Sequence, residues 1–138
     1  MIDALAGLRC TSVRRFGHRF ADESVSATGP LELAFDDRSV LTLDAKADWT
    51  LHMSNQPWTD PYADASEDER GVLARDVGVW HEVATPTSLA RLVGQRVSSA
   101  EPELNEIGEL TGLSIAFETH VVSARVLDGE LTVKVHDR

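Results

Sequence analysis

The 138-residue sequence contains a single cysteine, Cys10, so no internal disulfide can staple it. No apolar run in it approaches the ~20 residues that cross a bilayer as a helix. Its opening Met1-Ile2-Asp3-Ala4-Leu5 also lacks the basic stretch and apolar core of a secretion signal, so a cytoplasmic location without membrane insertion is expected. Neither Gly-x-Gly-x-x-Gly nor Gly-x-x-x-x-Gly-Lys-Ser/Thr occurs, which disfavours nucleotide chemistry because neither common phosphate-cradling loop is present. Positive charge is scarce: 13 Lys and Arg stand against 23 Asp and Glu, a formal net charge of −10. Such a chain repels phosphate backbones and anionic lipid at long range, so neither nucleic acid nor membrane is an expected partner. What remains, 42% hydrophobic and 26% charged residues, fits one domain over residues 1–138. At this length about two-thirds of the unfolded surface can be buried, enough for a core without a metal or disulfide.

The charge is unevenly spread. Arg9, Arg14, Arg15 and Arg19 make the first stretch basic, whereas Asp60, Asp64, Glu67, Asp68 and Glu69 form one acidic block and Glu101, Glu103, Glu106 and Glu109 another. Blocks of this kind usually lie on solvated loops or helix ends, and otherwise serve as docking surfaces for a basic partner.

Self-similarity is the strongest signal. Leu5-Ala6-Gly7-Leu8-Arg9-Cys10-Thr11-Ser12-Val13 is echoed by Leu92-Val93-Gly94-Gln95-Arg96-Val97-Ser98-Ser99-Ala100. In the same order, Thr28-Gly29-Pro30-Leu31-Glu32-Leu33-Ala34-Phe35 is echoed by Thr111-Gly112-Leu113-Ser114-Ile115-Ala116-Phe117, with Pro30 as an extra residue. Trp49-Thr50-Leu51-His52-Met53 stands opposite Leu131-Thr132-Val133-Lys134-Val135 as a weaker third match. The expectation is two copies of one unit, about residues 1–54 and 88–137, joined by an insert at 55–87.

Each unit reads as a β meander. Leu31, Leu33 and Phe35 alternate with Glu32 and Ala34, and Leu113, Ile115 and Phe117 alternate with Ser114 and Ala116, the period of a half-buried strand. Asp36-Asp37 supplies a turn into the next strand, and Trp49, Leu51 and Met53 form a further inward-facing set. Asp128-Gly129, between Val122/Ala124/Val126 and Leu131/Val133/Val135, predicts a tight hairpin. Each unit opens on a short helical turn stopped by glycine, at Gly7 and Gly94, with Thr85-Pro86 as cap and first position of the second turn. In the insert, Pro57 and Pro61 exclude a regular helix, while Ser66 and Glu69 have capping-box spacing ahead of a helix weakened by Gly71. The expected fold is therefore mainly β: an antiparallel barrel or sandwich of about eight strands from two tandem β-meander repeats, with one to three short helices. At equivalent places after the matched strands, Arg14-Arg15-Phe16-Gly17-His18-Arg19 and Glu101-Pro102-Glu103-Leu104-Asn105-Glu106 read as loops of opposite charge. They are expected to meet within one chain or between two, which makes a homodimer through Arg14, Arg15, Arg19, Glu101, Glu103 and Glu106 one candidate assembly.

Catalytic and metal motifs fail on spacing. His81-Glu82 begins a zinc-protease motif, but Thr85 stands where the second histidine is needed, and no pair among His18, His52, His81, His120 and His136 has the close spacing of helical metal ligands. Asp60, Asp64, Ser66 and Asp68 lack the spacing and glycine of a calcium loop. His52 has Asp44 and Asp48 upstream but no nucleophile-elbow serine, and strand alternation turns it to solvent. Cys10 aligns with Val97, which favours a small apolar position over a nucleophile. Phe16 and Phe20 among Arg14, Arg15, His18 and Arg19 have the composition of a single-strand binding patch, a reading that the net charge opposes.

No catalytic residue, metal or cofactor is assigned. The leading expectation is a non-catalytic protein-binding domain, immunity-type or inhibitory, docking a basic partner through Trp58, Asp60, Tyr62, Asp64, Glu67, Asp68 and Glu69. A small-molecule binder or enzyme using the barrel mouth and a structural homo-oligomer are the alternatives. A protein binder is expected to have a filled interior and an exposed acidic-aromatic patch, and a ligand binder a cavity with His or Arg pointing inward.

Overall fold

The computed structural model describes residues 2–19, 28–76 and 78–138. Among these residues nine strands form two antiparallel sheets. The first comprises β1 (Cys10–Arg19), β2 (Leu31–Phe35), β3 (Val40–Ala45), β4 (Leu51–Ser54) and β5 (Val79–Val83), in the order β4-β3-β2-β1-β5. The second is a four-stranded meander of β6 (Ser99–Leu104), β7 (Leu110–Ala116), β8 (His120–Leu127) and β9 (Glu130–Asp137). Helices α1 (Glu67–Asp76) and α2 (Thr87–Ala90) and a 3-10 turn at Ile2–Leu5 complete it. The sheets do not close into a barrel, and the arrangement is sandwich-like. No helix among the described residues is long and apolar enough to cross a membrane.

Alternation builds the core. Leu31, Leu33 and Phe35 of the first sheet and Leu113, Ile115 and Phe117 of the second are buried in one cluster, joined by Leu41, Leu43, Val122 and Leu131. Burial of these side chains contributes roughly 1.5–3 kcal/mol each against leaving them exposed. A bulge between Cys10 and Ser12 lets both Cys10 and Val13 face this core despite their odd spacing.

The sheets meet at an isolated antiparallel bridge between Arg9 and Arg96. Around it the hydrogen bonds come in matched pairs. Gly7 N–H donates to Val97 O and Gly94 N–H to Cys10 O, both at 2.8 Å; Cys10 N–H donates to Gln95 O (2.9 Å) and Val97 N–H to Leu8 O (2.8 Å). Arg9 Nη1 reaches Gly94 O at 2.7 Å and Arg96 Nη1 reaches Gly7 O at 2.8 Å. Exchanging Gly7 with Gly94, Leu8 with Gln95, Arg9 with Arg96 and Cys10 with Val97 converts each bond into its mate. Gly7 and Gly94 take φ of +88° and +91°, a backbone that side chains rarely adopt.

The turns follow local chemistry. Asp128 (φ +52°) and Gly129 (φ +78°) join β8 to β9 in the expected two-residue hairpin. Three other turns place Arg38, Trp49 and Gly108 at positive φ. Asp48 Oδ1 accepts from Thr50 N–H and Oγ1–H at 3.1 and 2.6 Å and fixes the turn that carries Trp49. Trp49 is therefore 57% exposed and not one of the inward set expected with Leu51 and Met53.

Three further expectations change. The insert supplies a ninth strand, β5, through pairing with the second half of β1. Pro86 occupies the cap position of α2 and Thr85 Oγ1 instead donates to Val13 O at 3.2 Å. Arg14–Arg19 and Glu101–Leu104 are strand residues, not loops.

Candidate functional site

The outer face of the five-stranded sheet is covered by the start of the insert. Alternation along β1 puts Val13, Arg15 and Gly17 inward and Arg14, Phe16 and His18 outward. Trp58 lies on Phe16 with ring centroids 4.1 Å apart and meets Trp80 edge-on at 6.0 Å. Thr42 Oγ1 donates to Gln56 O at 2.8 Å, and the Trp58 N–H donates to Glu32 Oε2 at 2.9 Å. Glu32, 5% exposed, also pairs with Arg14 at 3.3 Å, and Arg14 Nε reaches Glu82 at 2.7 Å. The strap thus explains why a glutamate on the outer face of β2 is buried.

The insert residues expected to bind a partner divide in two. Trp58 and Tyr62 are half-buried, and Asp60 is committed internally, pairing with Arg70 at 3.1 Å and accepting from Tyr62 N–H at 2.8 Å. Asp64, Glu67, Asp68 and Glu69 are exposed around the start of α1, where Ser66 Oγ accepts from Glu69 N–H at 3.1 Å as the cap requires. Acidic residues there favour the helix dipole, so part of this charge serves the helix.

The second acidic block has a different character. Residues 101–109 of the β6–β7 hairpin are all exposed. Asn105 Oδ1 accepts from the N–H groups of Ile107 (3.0 Å) and Glu109 (2.9 Å), and Gly108 at φ +84° completes the turn. This turn holds Ile107 80% exposed, with Leu104 beside it at 56%. The sequence reading missed both apolar residues; the available signal was an isoleucine inside an Asn-Glu-Ile-Gly turn between glutamates. Glu103 pairs with Arg125 at 2.7 Å. No ion pair joins Glu101, Glu103 or Glu106 to Arg14 or Arg15 among the described residues.

A groove of about 550 Å³ opens where β5, the start of α2 and β9 approach, and Arg15 lies in its wall. The Arg15 side chain points inward, is 4% exposed, and its Nη2 donates to Leu131 O at 2.6 Å. Its Nε is buried without a hydrogen-bond partner. Burial lowers the Arg15 pKa, partly offset by the charge of Asp44, whose own carboxyl is pushed up by burial despite Ala45 N–H, His52 and Arg15.

The remaining reactive groups are placed as follows. His52 is exposed and faces Asp44 across the β3–β4 ladder. Cys10 is 1% exposed, and burial pushes its thiol up to about 11 against a weaker opposing bond to Ser12. At pH 8 this leaves about a hundredfold less thiolate than an unfolded cysteine carries. Iodoacetamide labelling of the native protein at that pH should accordingly run at least about a hundredfold slower than in concentrated urea; equal rates would show an accessible thiol.

The chain matches no protein-family model, no curated protein and no solved structure.

Proposed function

We propose that this chain is a non-catalytic, cytoplasmic protein-binding β sandwich, acting in an immunity-type or inhibitory manner, that docks a basic protein through the acidic β6–β7 hairpin. The observation that carries this reading is Ile107, 80% exposed at the tip of a hairpin whose neighbours Glu101, Glu103, Glu106 and Glu109 are also exposed. An apolar anchor ringed by charge has the anatomy of an interface core and its rim. The surrounding carboxylates speed encounter with a basic surface and reject acidic ones. A continuous cluster of buried apolar side chains between the sheets supports the same reading, while the groove at Arg15 has the inward cation expected of a ligand binder. Trp58, expected to share the task, lies against Phe16 of β1 and Trp80 of β5, so the docking role passes to the hairpin and the exposed residues Asp64, Glu67, Asp68 and Glu69 add long-range steering. The paired bonds around Arg9 and Arg96 support reading the halves as two copies of one unit, with the acidic hairpin as the feature in which they diverge.

Site-specific photocrosslinking in the host tests the proposal. A benzophenone amino acid replacing Ile107 should yield a discrete adduct with a basic protein, and the same probe replacing Asp37, on a turn of the other sheet, should not. Combining Glu103→Lys, Glu106→Lys and Glu109→Lys should lower the yield roughly tenfold or more. An absent adduct, or one indifferent to the charge reversals, overturns the proposal.

A further inference from the structure

Arg15 is a buried cation with no carboxylate within ion-pair distance among the described residues, and the charge of Asp44 acts on it only from farther away. None of the ion pairs among the described residues includes it, and its one hydrogen bond goes to a backbone carbonyl, Leu131 O. A buried charge ordinarily needs a paired counter-charge, because desolvation outweighs a single neutral acceptor. The guanidinium offers five N–H donors; among the described residues one nitrogen, Nη2, is engaged, and Nε is buried without a partner. The same side chain lines the groove between β5, α2 and β9, whose walls are apolar at Val83, Pro86, Leu89 and Val133 and include the hydroxyl residues Thr28 and Ser88. A hollow of about 550 Å³ with one inward cation and a few hydroxyls has the composition of a small-ligand site.

We propose that this groove binds a carboxylate carried on an apolar chain, with the carboxylate paired to the Arg15 guanidinium and the chain laid along Val83, Pro86, Leu89 and Val133. A single arginine in an otherwise apolar wall matches one negative charge; a phosphate dianion would lack a second cation in the groove lining and would meet repulsion from a chain of net charge −10. The occupant is either a free aliphatic acid or the C-terminus of an extended apolar peptide, since both present this chemistry. This site is separate from the β6–β7 hairpin, and its occupancy stands or falls independently of docking there.

Calorimetric titration of the full chain decides the matter, with octanoate as one probe and an Ala-Val-Leu peptide bearing a free C-terminus as the other. Octanol, the amidated peptide and inorganic phosphate serve as controls. The expected result is saturable binding of at least one carboxylate probe, weakened roughly tenfold or more when its carboxylate is removed, and no phosphate binding. Arg15→Met, which keeps the length of the side chain without its charge, should weaken binding by a similar factor. Ser88→Trp, at an exposed rim position, should block the groove with Arg15 intact. Tighter binding of octanoate assigns a free acid, and tighter binding of the peptide assigns a C-terminus. No saturable binding by either probe up to about 10 mM, binding unchanged in both variants, or equal binding of phosphate overturns the proposal.

Discussion

Truncating Phe117 to alanine is expected to cost about 3–5 kcal/mol of folding stability, and truncating Phe35 a similar amount. Both rings are buried in the shared core, at 0% and 3% exposure. Their backbone settings also correspond. Phe35 ends β2 and its N–H donates across a turn to Ser39 O at 3.0 Å; Phe117 directly follows β7 and its N–H donates across a turn to His120 O at 2.8 Å. Removing either ring leaves a cavity in the apolar cluster, so the loss of transfer energy is joined by a cavity cost. Against the 5–15 kcal/mol that typically holds a domain of this size, either change removes a large share. Urea unfolding followed by tryptophan fluorescence measures the loss. Costs that agree within about 1 kcal/mol support the two-copy reading; a cost below that value for either phenylalanine places its ring outside the core and contradicts the packing.

The elements legible in the sequence were those whose signal is local. Period-two alternation at Leu31–Phe35 and Leu113–Phe117 marks strands because one face is buried and the other is not. Asp128-Gly129 marks a hairpin because both residues tolerate positive φ, and Ser66 marks the start of α1 because its hydroxyl accepts an N–H that the helix leaves unpaired. What was not legible depends on partners distant in the chain. Strand β5 has the mixed pattern Val79-Trp80-His81-Glu82-Val83 and owes its conformation to pairing with β1, from which it is separated by β2–β4 and the first part of the insert. Strand β1 was half hidden for a related reason: arginine occupies both its faces at Arg14 and Arg15, so hydrophobic alternation breaks down and the segment reads as a charged loop. The two arginines have opposite fates. Arg14 reaches two glutamates on the outer face, whereas Arg15 enters the groove, and only the strand register separates them. Trp49 misled in the other direction, since a large apolar residue in a meander is expected inside, yet the Asp48 turn fixes it outside.

Replacing Glu32 with alanine is expected to cost about 2–3 kcal/mol and to release the strap that Trp58 anchors. Glu32 is 5% exposed, accepts the Trp58 N–H at 2.9 Å and pairs with Arg14 at 3.3 Å, so the substitution removes two charge-assisted bonds from a covered site. The full penalty of a broken buried pair, about 3–5 kcal/mol, is not reached. The Arg14 side chain is 41% exposed and keeps Glu82 at 2.7 Å, so it is not stranded as an unpaired charge. Glu32→Gln retains an acceptor for the Trp58 N–H and should cost about 1 kcal/mol. Emission separates strap release from general loss of stability: in Glu32→Ala, well below the unfolding transition, Trp58 should leave Phe16 and its fluorescence shift to longer wavelength, while Glu32→Gln should keep the native spectrum. A native spectrum in Glu32→Ala with a cost under about 0.5 kcal/mol would mean that stacking on Phe16 and Trp80 holds the strap unaided. The same balance bears on where a protein partner docks. A strap secured by a buried carboxylate holds Trp58 and Trp80 half-buried, whereas Ile107, the most exposed of the large apolar residues described, stands with Leu104 on the acidic hairpin.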